Sequence, residues 1–201
     1  MRPRIMRRSA TVPKDMRELA KLFTQIALLR RGPQDLPAST LLLVFTVIAY
    51  LAMNLLMNGL LPPLNPAGAA TKLKEADQGS WLAQLLLDTA FTLVWYVVLL
   101  RLAGRPERTL QTMTAVFGFQ IVLAPLLFFS SWLWPQFAQD LTWRVPITLF
   151  GVALVVWLIA ANSHIVRAAL EWSGGASVAL VILQILAGEL LRRQLFPTAQ
   201  G

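Results

Sequence analysis

The sequence contains no cysteine and only one histidine, His164. A chain without cysteine forms no disulfide, no thiolate zinc site and no iron–sulfur cluster, and it has no thiol nucleophile. One histidine with dispersed methionines offers no matched pair of axial haem ligands. The motifs of zinc metallopeptidases, serine hydrolases, P-loops and dinucleotide-binding turns are missing as well. The sequence therefore predicts a protein that is not an enzyme and that carries no metal and no cofactor.

A Ser–His intramembrane protease is the nearest enzymatic alternative, with Ser130 or Ser131 as the nucleophile and His164 as the base. The two serines end the third predicted span at one membrane face, whereas His164 ends the fourth at the opposite face. A span crosses about 30 Å of hydrocarbon, so these side chains cannot form a hydrogen bond. We interpret His164 as an interfacial polar residue and assign no catalytic residue.

Charge is scarce, because 14% of the residues are charged while 56% are hydrophobic, and the mean hydropathy is +0.59. A soluble domain of 201 residues could not bury this much apolar surface. The net charge is +8, but half of the 18 Lys and Arg residues precede Gly32. The charge therefore indicates membrane topology and contact with anionic lipid headgroups, and we expect no nucleic-acid partner.

The basic start of the chain is not predicted to be a secretory signal, because the next long apolar run begins only near Thr40. An Arg-rich mitochondrial presequence is the alternative, and Asp15 and Glu18 disfavour it. We therefore interpret the first residues as part of the protein's own architecture.

Five apolar segments are long enough to cross a hydrocarbon core, which takes roughly 20 helical residues. They lie at 40–61, 81–100, 109–133, 145–163 and 174–191. Between them we expect loops at 62–80 and 134–144, and short turns at 101–108 and 164–172. The predicted fold class is all-α: an integral membrane bundle of about five transmembrane helices preceded by an amphipathic interfacial helix.

That first helix is predicted between Lys14 and Arg30, where apolar residues recur at helical spacing and most polar residues fall on the other face. We expect it to lie along the inner headgroup layer and to bind anionic headgroups. Binding of a peripheral partner through the same face is the alternative. The predicted domains are a basic cytoplasmic arm at 1–37, a five-span domain at 38–195 and a short tail at 196–201.

The distribution of Lys and Arg predicts the orientation, because these residues resist translocation. With the N-terminus inside, thirteen of them lie on the cytoplasmic side and five on the other. An odd number of spans then places the C-terminus outside. We therefore expect an integral membrane protein with its N-terminus inside and its C-terminus outside.

Polar groups inside spans are costly in lipid, so each needs a partner or a function. The candidate intramembrane polar contacts are Asn54, Asp88, Gln120, Gln184, Glu189 and Arg192. We expect Asp88 and Asn54 at one depth, and Glu189 is spaced to pair with Arg192 and Arg193. Hydrogen bonding between helices is the structural interpretation, and a path for an ion, proton or small solute is the functional one. We favour the structural interpretation, because a path normally needs more acids.

Three segments of the chain carry a family resemblance. They are the turn Gly104-Arg105-Pro106-Glu107-Arg108-Thr109, the span containing Phe117-Gly118-Phe119 and Ala124-Pro125, and the stretch His164-Ile165-Val166-Arg167-Ala168-Ala169. Their order resembles that of the Yip1 family of five-span membrane proteins, over roughly residues 81–193. The resemblance implies a five-helix bundle with a cytoplasmic N-terminus, and it maps no catalytic residue.

The arm is short, and the residues at 30–37 that precede the first span are typical of bacterial membrane proteins. We therefore expect the bacterial inner (cytoplasmic) membrane, and the vesicle-traffic roles of eukaryotic Yip1 proteins are not carried over. The leading functional hypothesis is a non-enzymatic protein that scaffolds or regulates a membrane complex, with a membrane protein or a second copy of the chain as its partner. A small transporter or channel subunit is the alternative.

Overall fold

The computed structural model describes residues 16–60, 70–137 and 140–196. Its α-helices are α1 Met16–Ala27, α2 Thr40–Leu60, α3 Ala70–Leu102, α4 Thr109–Phe137, α5 Leu141–Leu170 and α6 Gly174–Leu195. The described residues include no β-strand, and α2 to α6 are each long and apolar enough to cross a membrane. The predicted all-α membrane bundle is confirmed. Residues 1–15 of the predicted arm and 197–201 of the predicted tail lie outside the described residues.

The second membrane helix is longer than predicted, because α3 begins at Ala70 inside the expected loop at 62–80. Residues 70–80 are polar but rich in Ala, Lys, Leu and Glu, which favour helix. A long apolar segment in the sequence marks only the part of a helix that lies in the hydrocarbon core. The predicted start of the second span at Trp81 therefore marks a hydrophobic boundary and not the start of the helix.

The predicted turn at 164–172 is also mostly helical, since α5 continues to Leu170. The connection to α6 consists only of residues 171–173, with Glu171 in the left-handed conformation (φ 58°) at the end of α5. Ser173 then caps α6 by accepting a hydrogen bond from the Ala176 amide. His164 consequently lies within α5, about 9 Å from its end at 1.5 Å per residue, and not in a turn.

α4 is the central helix, in contact with α1, α2, α3 and α5, while α6 packs against α5 and α3. Short connections bring the end of α3 next to the start of α4, and the end of α5 next to the start of α6. We call this end of the bundle the arm end, because residues 33–36 also lie there against α4. The opposite end, where α4 leads into α5, is the far end.

The amphipathic helix α1 is present, and its apolar face packs against protein within the bundle. Ile26 is fully buried, and Leu22 and Phe23 pack against the core formed by α4 and α5. Arg17 and Lys21 are exposed on the other face. The spacing of apolar residues defines a face that must be covered, but it does not say whether lipid or another helix covers it.

The two halves of the bundle differ in packing. On α4, residues 112–119 are all buried. We call this part of α4, together with the segments packed around it, the arm half of the bundle. Beyond Gln120 most α4 residues are half-buried or exposed, Leu123 being the buried exception. The arm half is dense because α1 fills the space beside α4 and α5. The far half has no comparable helix and contains open space between the spans.

Candidate functional site

The arm end is held together by an ion-pair cluster that links the α3–α4 connection to the end of α5. Arg105 donates to a carboxylate oxygen of Glu171 at 2.6 Å, and Arg108 donates to the other oxygen at 2.7 Å. Arg108 also donates to the carbonyl oxygens of Ala168 and Ala169, both at 3.1 Å. These carbonyls belong to the last turn of α5, where a cation is favoured by the helix dipole.

This arrangement changes the acid–base properties of its members. The hydrogen bonds from Arg105 and then Arg108 lower the pKa of Glu171 below its ordinary value. The same contact raises the pKa of Arg105. Glu171 is therefore ionised across the physiological range and holds two separate connections in one geometry. The cluster joins the turn at 104–109 to the end of α5.

The arm is attached to the spans by three hydrogen bonds to its backbone carbonyls. The Trp157 indole N–H donates to Ala27 at 2.8 Å, and the Gln111 amide donates to Leu36 at 2.6 Å. The His164 Nε2 lies 3.2 Å from the Arg31 carbonyl and donates to it when that nitrogen carries the proton. Carbonyls at the end of a helix lack intrahelical partners, so Trp157 satisfies a group that α1 leaves open at Ala27, while His164 and Gln111 bind the segment that follows α1.

The positions of these contacts show that the arm enters the bundle and returns. Counted along the spans from the arm end, Trp157 lies about 20 Å deep, His164 about 9 Å and Gln111 about 3 Å. Their arm partners follow in the same order along the chain, from Ala27 to Leu36. Leu29 has a φ of 60° at the point where the direction reverses. The arm thus forms a helix–turn–return hairpin inside the arm half.

The far half contains an open cavity of about 580 Å³ between α2, α3, α4 and α5. Its walls are mainly apolar and include Leu123, Leu127, Phe128 and Leu158. The polar lining residues are Tyr50, Asn54, Trp81, Gln120 and Ser131. A largely apolar cavity with a few hydrogen-bonding groups is the usual form of a small-molecule site.

Two of the predicted polar residues, Asn54 and Gln120, therefore lie at the same cavity. Asn54 donates to the Tyr50 carbonyl of its own helix at 2.9 Å, so this bond does not join two spans. Gln120 is half-buried and makes no hydrogen bond among the described residues. The expectation that these amides join helices through hydrogen bonds is not met at either position. Both retain hydrogen-bonding capacity toward the cavity.

A second group of predicted residues meets where α3 packs against α6. Glu189 accepts hydrogen bonds from Arg192 and, at 2.7 Å, from Arg193, as the sequence spacing predicted. Asp88 is half-buried and interacts electrostatically with Arg192 and Glu189. Arg192 is thus a charged partner of Asp88. Asn54, which the sequence placed at the depth of Asp88, hydrogen-bonds within α2.

The last predicted polar residue, Gln184, is half-buried on α6, on the same face as Ser177 and Val181, which are buried. It makes no hydrogen bond among the described residues. Phe91 of α3 contacts Gly188, one turn farther along α6. Because the two helices run antiparallel, Gln184 is level with Trp95, whose indole nitrogen is buried without a partner.

The Ser–His alternative finds no support in the geometry. Ser131 donates to the Phe128 carbonyl and lies about 33 Å from the arm end, whereas His164 lies about 9 Å from it. The sequence analysis did not identify Tyr50, Trp81, Asn162 or Glu171 as important. Asn162, buried with its side-chain oxygen unpartnered, could have been found as an amide inside a predicted span.

Within the described residues, no group of three His, Asp or Glu side chains could hold a metal ion. Comparison of the chain with protein-family models, curated proteins and solved structures finds no match. Its function is therefore argued from the cavity, the polar groups and the arm of this molecule.

Proposed function

We propose that the protein is a small non-enzymatic transporter or channel subunit that binds its ligand in the far-half cavity. The observation that supports this proposal is the pair of amides, Asn54 and Gln120, at a cavity in the membrane-spanning part of the molecule. An amide in an apolar environment without a hydrogen bond costs roughly 1–3 kcal/mol in proteins. Water or a ligand in the cavity would remove that cost for Gln120, which has no hydrogen-bond partner among the described residues.

The dense packing toward the arm end closes the cavity on that side, so the cavity is accessible from the far end. Below the cavity floor, residues 112–119 of α4 are buried, and the ring of Phe117 lies 5.2 Å from that of Tyr50. α1 occupies the neighbouring space through Phe23 and Ile26. In this arrangement the ligand enters from the far end. Following the distribution of Lys and Arg, we propose that the arm end faces the cytoplasm of a bacterium and that the cavity opens outward.

Cysteine labelling tests this proposal cleanly, because the chain contains no cysteine of its own. Ala124 lines the cavity, whereas Ala115 of the same helix is fully buried in the arm half. We expect a membrane-impermeant maleimide added from the far side to label A124C at least tenfold faster than A115C. Equal protection of both positions in folded protein would show that the cavity is closed to water.

Flux through reconstituted protein tests the transport part of the proposal. Liposomes containing the protein should take up a water-soluble uncharged amphiphile, such as a six-carbon diol, faster than empty liposomes. Gln120→Met should reduce the difference, because it removes the amide at the cavity floor and keeps a similar volume. If the flux equals that of empty liposomes, the transport part of the proposal is wrong, and the cavity binds a ligand without transporting it.

A scaffolding or regulatory role is the second candidate, supported by the rigid arm end. Arg105, Arg108 and Glu171 fix the surface there, and Arg167 and Arg101 are exposed beside them. Such a surface suits anionic headgroups, an acidic protein partner or a second copy of the chain. Purification in mild detergent tests this role. A partner lost on Arg167→Gln, but retained on Arg144→Gln at the far end, would favour it. The Yip1-like resemblance is compatible with both roles.

A further inference from the structure

We infer that the ligand of the far-half cavity is an uncharged amphiphile, a mainly apolar molecule with a hydroxyl or carbonyl group. This inference rests on the proposed function, since it names the class of molecule that the same cavity accepts. Three observations carry it: the charge of the lining, the position of the polar groups and the composition of the walls.

The described part of the lining offers no counter-ion to a charged ligand. None of the described residues that line the cavity is Asp, Glu, Lys or Arg. A charged group moved from water into such a site would lose its hydration without gaining a counter-ion, which is strongly unfavourable. Asp88 interacts electrostatically with Tyr50 of the lining, but its other charged partners are Arg192 and Glu189, which lie on α6 and not at the cavity. An uncharged ligand avoids this penalty.

The polar groups occur at two depths, and these depths define where a ligand can form hydrogen bonds. Tyr50, Asn54 and Gln120 lie about 15–21 Å from the arm end, and Trp81 and Ser131 lie about 32–33 Å from it. Between them the walls are formed by apolar side chains such as Leu127 and Phe128. A ligand that fits this pattern has an apolar body and a hydrogen-bonding group that reaches the deep amides.

The chemical type of the polar lining groups indicates which functional group the ligand carries. Amide side chains donate through nitrogen and accept through oxygen, so they bind either a hydroxyl or a carbonyl group. Gln120 has its full capacity free, since it has no hydrogen-bond partner among the described residues. A volume of about 580 Å³ is within the ordinary range for small-molecule sites. A single-chain alcohol fits these requirements, whereas a sugar would face too much apolar wall.

A matched series of ten-carbon probes tests the inference by thermal unfolding in detergent. The probes are decanol, decane, decanoate and decyltrimethylammonium, each at the same mole fraction in the micelle. We expect decanol to raise the Tm by about 3–5 °C, more than any of the other three, because only it is uncharged and able to hydrogen-bond. Gln120→Met should abolish the difference between decanol and decane.

The control substitution is Gln184→Met, which makes the same change at an amide on α6 outside the cavity. It should keep the difference between decanol and decane, since micelle effects act on both variants alike. Equal shifts for decanol and decane, or a larger shift with either charged probe, would overturn the inference. Retention of the difference in Gln120→Met would also overturn it, because the amide would then not contact the ligand.

Protection from labelling supplies a measurement that does not depend on a polar substitution. Decanol should slow maleimide labelling of A124C at least threefold, and decane should slow it less. If A124C is labelled rapidly and no probe protects it, the cavity is open as proposed but the ligand class is wrong. If A124C is not labelled at all, the proposed function itself fails.

Discussion

Gly118 is the position at which α1 comes closest to a membrane helix. A Cβ atom there would overlap the Phe23 ring, well inside van der Waals contact. We therefore expect Gly118→Ala to push α1 out of its site, at a cost of about 1–3 kcal/mol for overpacking. Limited trypsin digestion should then cut faster at Lys21, which lies on α1.

Gly175→Ala is the matched control for that experiment, because no atom lies within 4 Å of the Cβ position at Gly175. It should leave both the digestion rate and the Tm unchanged. If Gly118→Ala also leaves digestion at Lys21 unchanged, Phe23 can move aside without releasing the helix, and the close contact does not fix α1.

Glu171 gives the arm end a dependence on pH. The hydrogen bonds from Arg105 and Arg108 lower its pKa in the folded protein. A carboxylate with a lowered pKa stabilises the fold above its ordinary pKa of 4.5, and that stabilisation is lost as the pH falls through the folded pKa. Glu171→Gln should therefore lower the Tm by about 1–3 °C above pH 5, and the difference should vanish in acid.

Thermal melts of wild type and Glu171→Gln between pH 3 and 7 measure this effect. Glu107→Gln serves as the control, because Glu107 is exposed and interacts with Arg105 only at longer range. Its effect on the Tm should be smaller at every pH. A difference between wild type and Glu171→Gln that is constant with pH would contradict the assignment, since it would not come from ionisation.

Single residues also show which side-chain contacts a sequence pattern can predict. The spacing of Glu189 with Arg192 and Arg193 predicted their ion pairs, because residues three and four apart share a helix face. The partners of Glu171 are 63 and 66 residues away, so no local pattern indicates them. Gln120 was recognised as a costly polar group. Its place at a cavity depends on how α2 and α4 pack, which one sequence does not specify.

Among the elements, α1 packs mainly against α4 and makes a smaller number of contacts with α5. The indole of Trp157 donates to the Ala27 carbonyl, and such a bond contributes about 1 kcal/mol. Trp157→Phe keeps the aromatic ring and removes the donor. We expect hydrogen exchange of the α1 amides to become about fivefold faster, as measured by mass spectrometry, while exchange in α4 stays slow.

Trp143→Phe provides the comparison, since Trp143 lies at the far end of α5 and contacts Phe137 instead of the arm. It should leave exchange in α1 unchanged. Equal acceleration by both substitutions would mean that α5 as a whole has been loosened, and that the bond to Ala27 has no particular role.

The helices were predicted correctly where a long apolar segment marks them. The contacts between helices were not predicted, because no local pattern specifies them. Each membrane helix was found because about 20 apolar residues are sufficient to identify a span. Residues 70–80 were missed because their helix is polar. The periodicity of α1 was recognised correctly, but its contacts with α4 and α5 were not predicted, because Gly118 and Trp157 are unremarkable in the sequence.

On the scale of the whole molecule, the orientation in the membrane is the property most open to direct test. Thirteen basic residues on one side and five on the other predict an inside N-terminus. Reporter fusions after Arg31, Ala76, Arg105 and Gly201 should report inside, outside, inside and outside in turn. A cytoplasmic signal from the fusion after Gly201 would be incompatible with five spans.

The hairpin formed by the arm has a consequence for how the chain is made. Ala27 and Trp157 are 130 residues apart, so α1 leaves the ribosome long before its binding surface exists. At 5–20 residues per second this delay is roughly 7–26 s. During that time the apolar face of α1 has only the bilayer surface to cover it. We therefore expect α1 to lie in the headgroup layer while the chain is being made, and to dock against α4 and α5 as a late step of assembly.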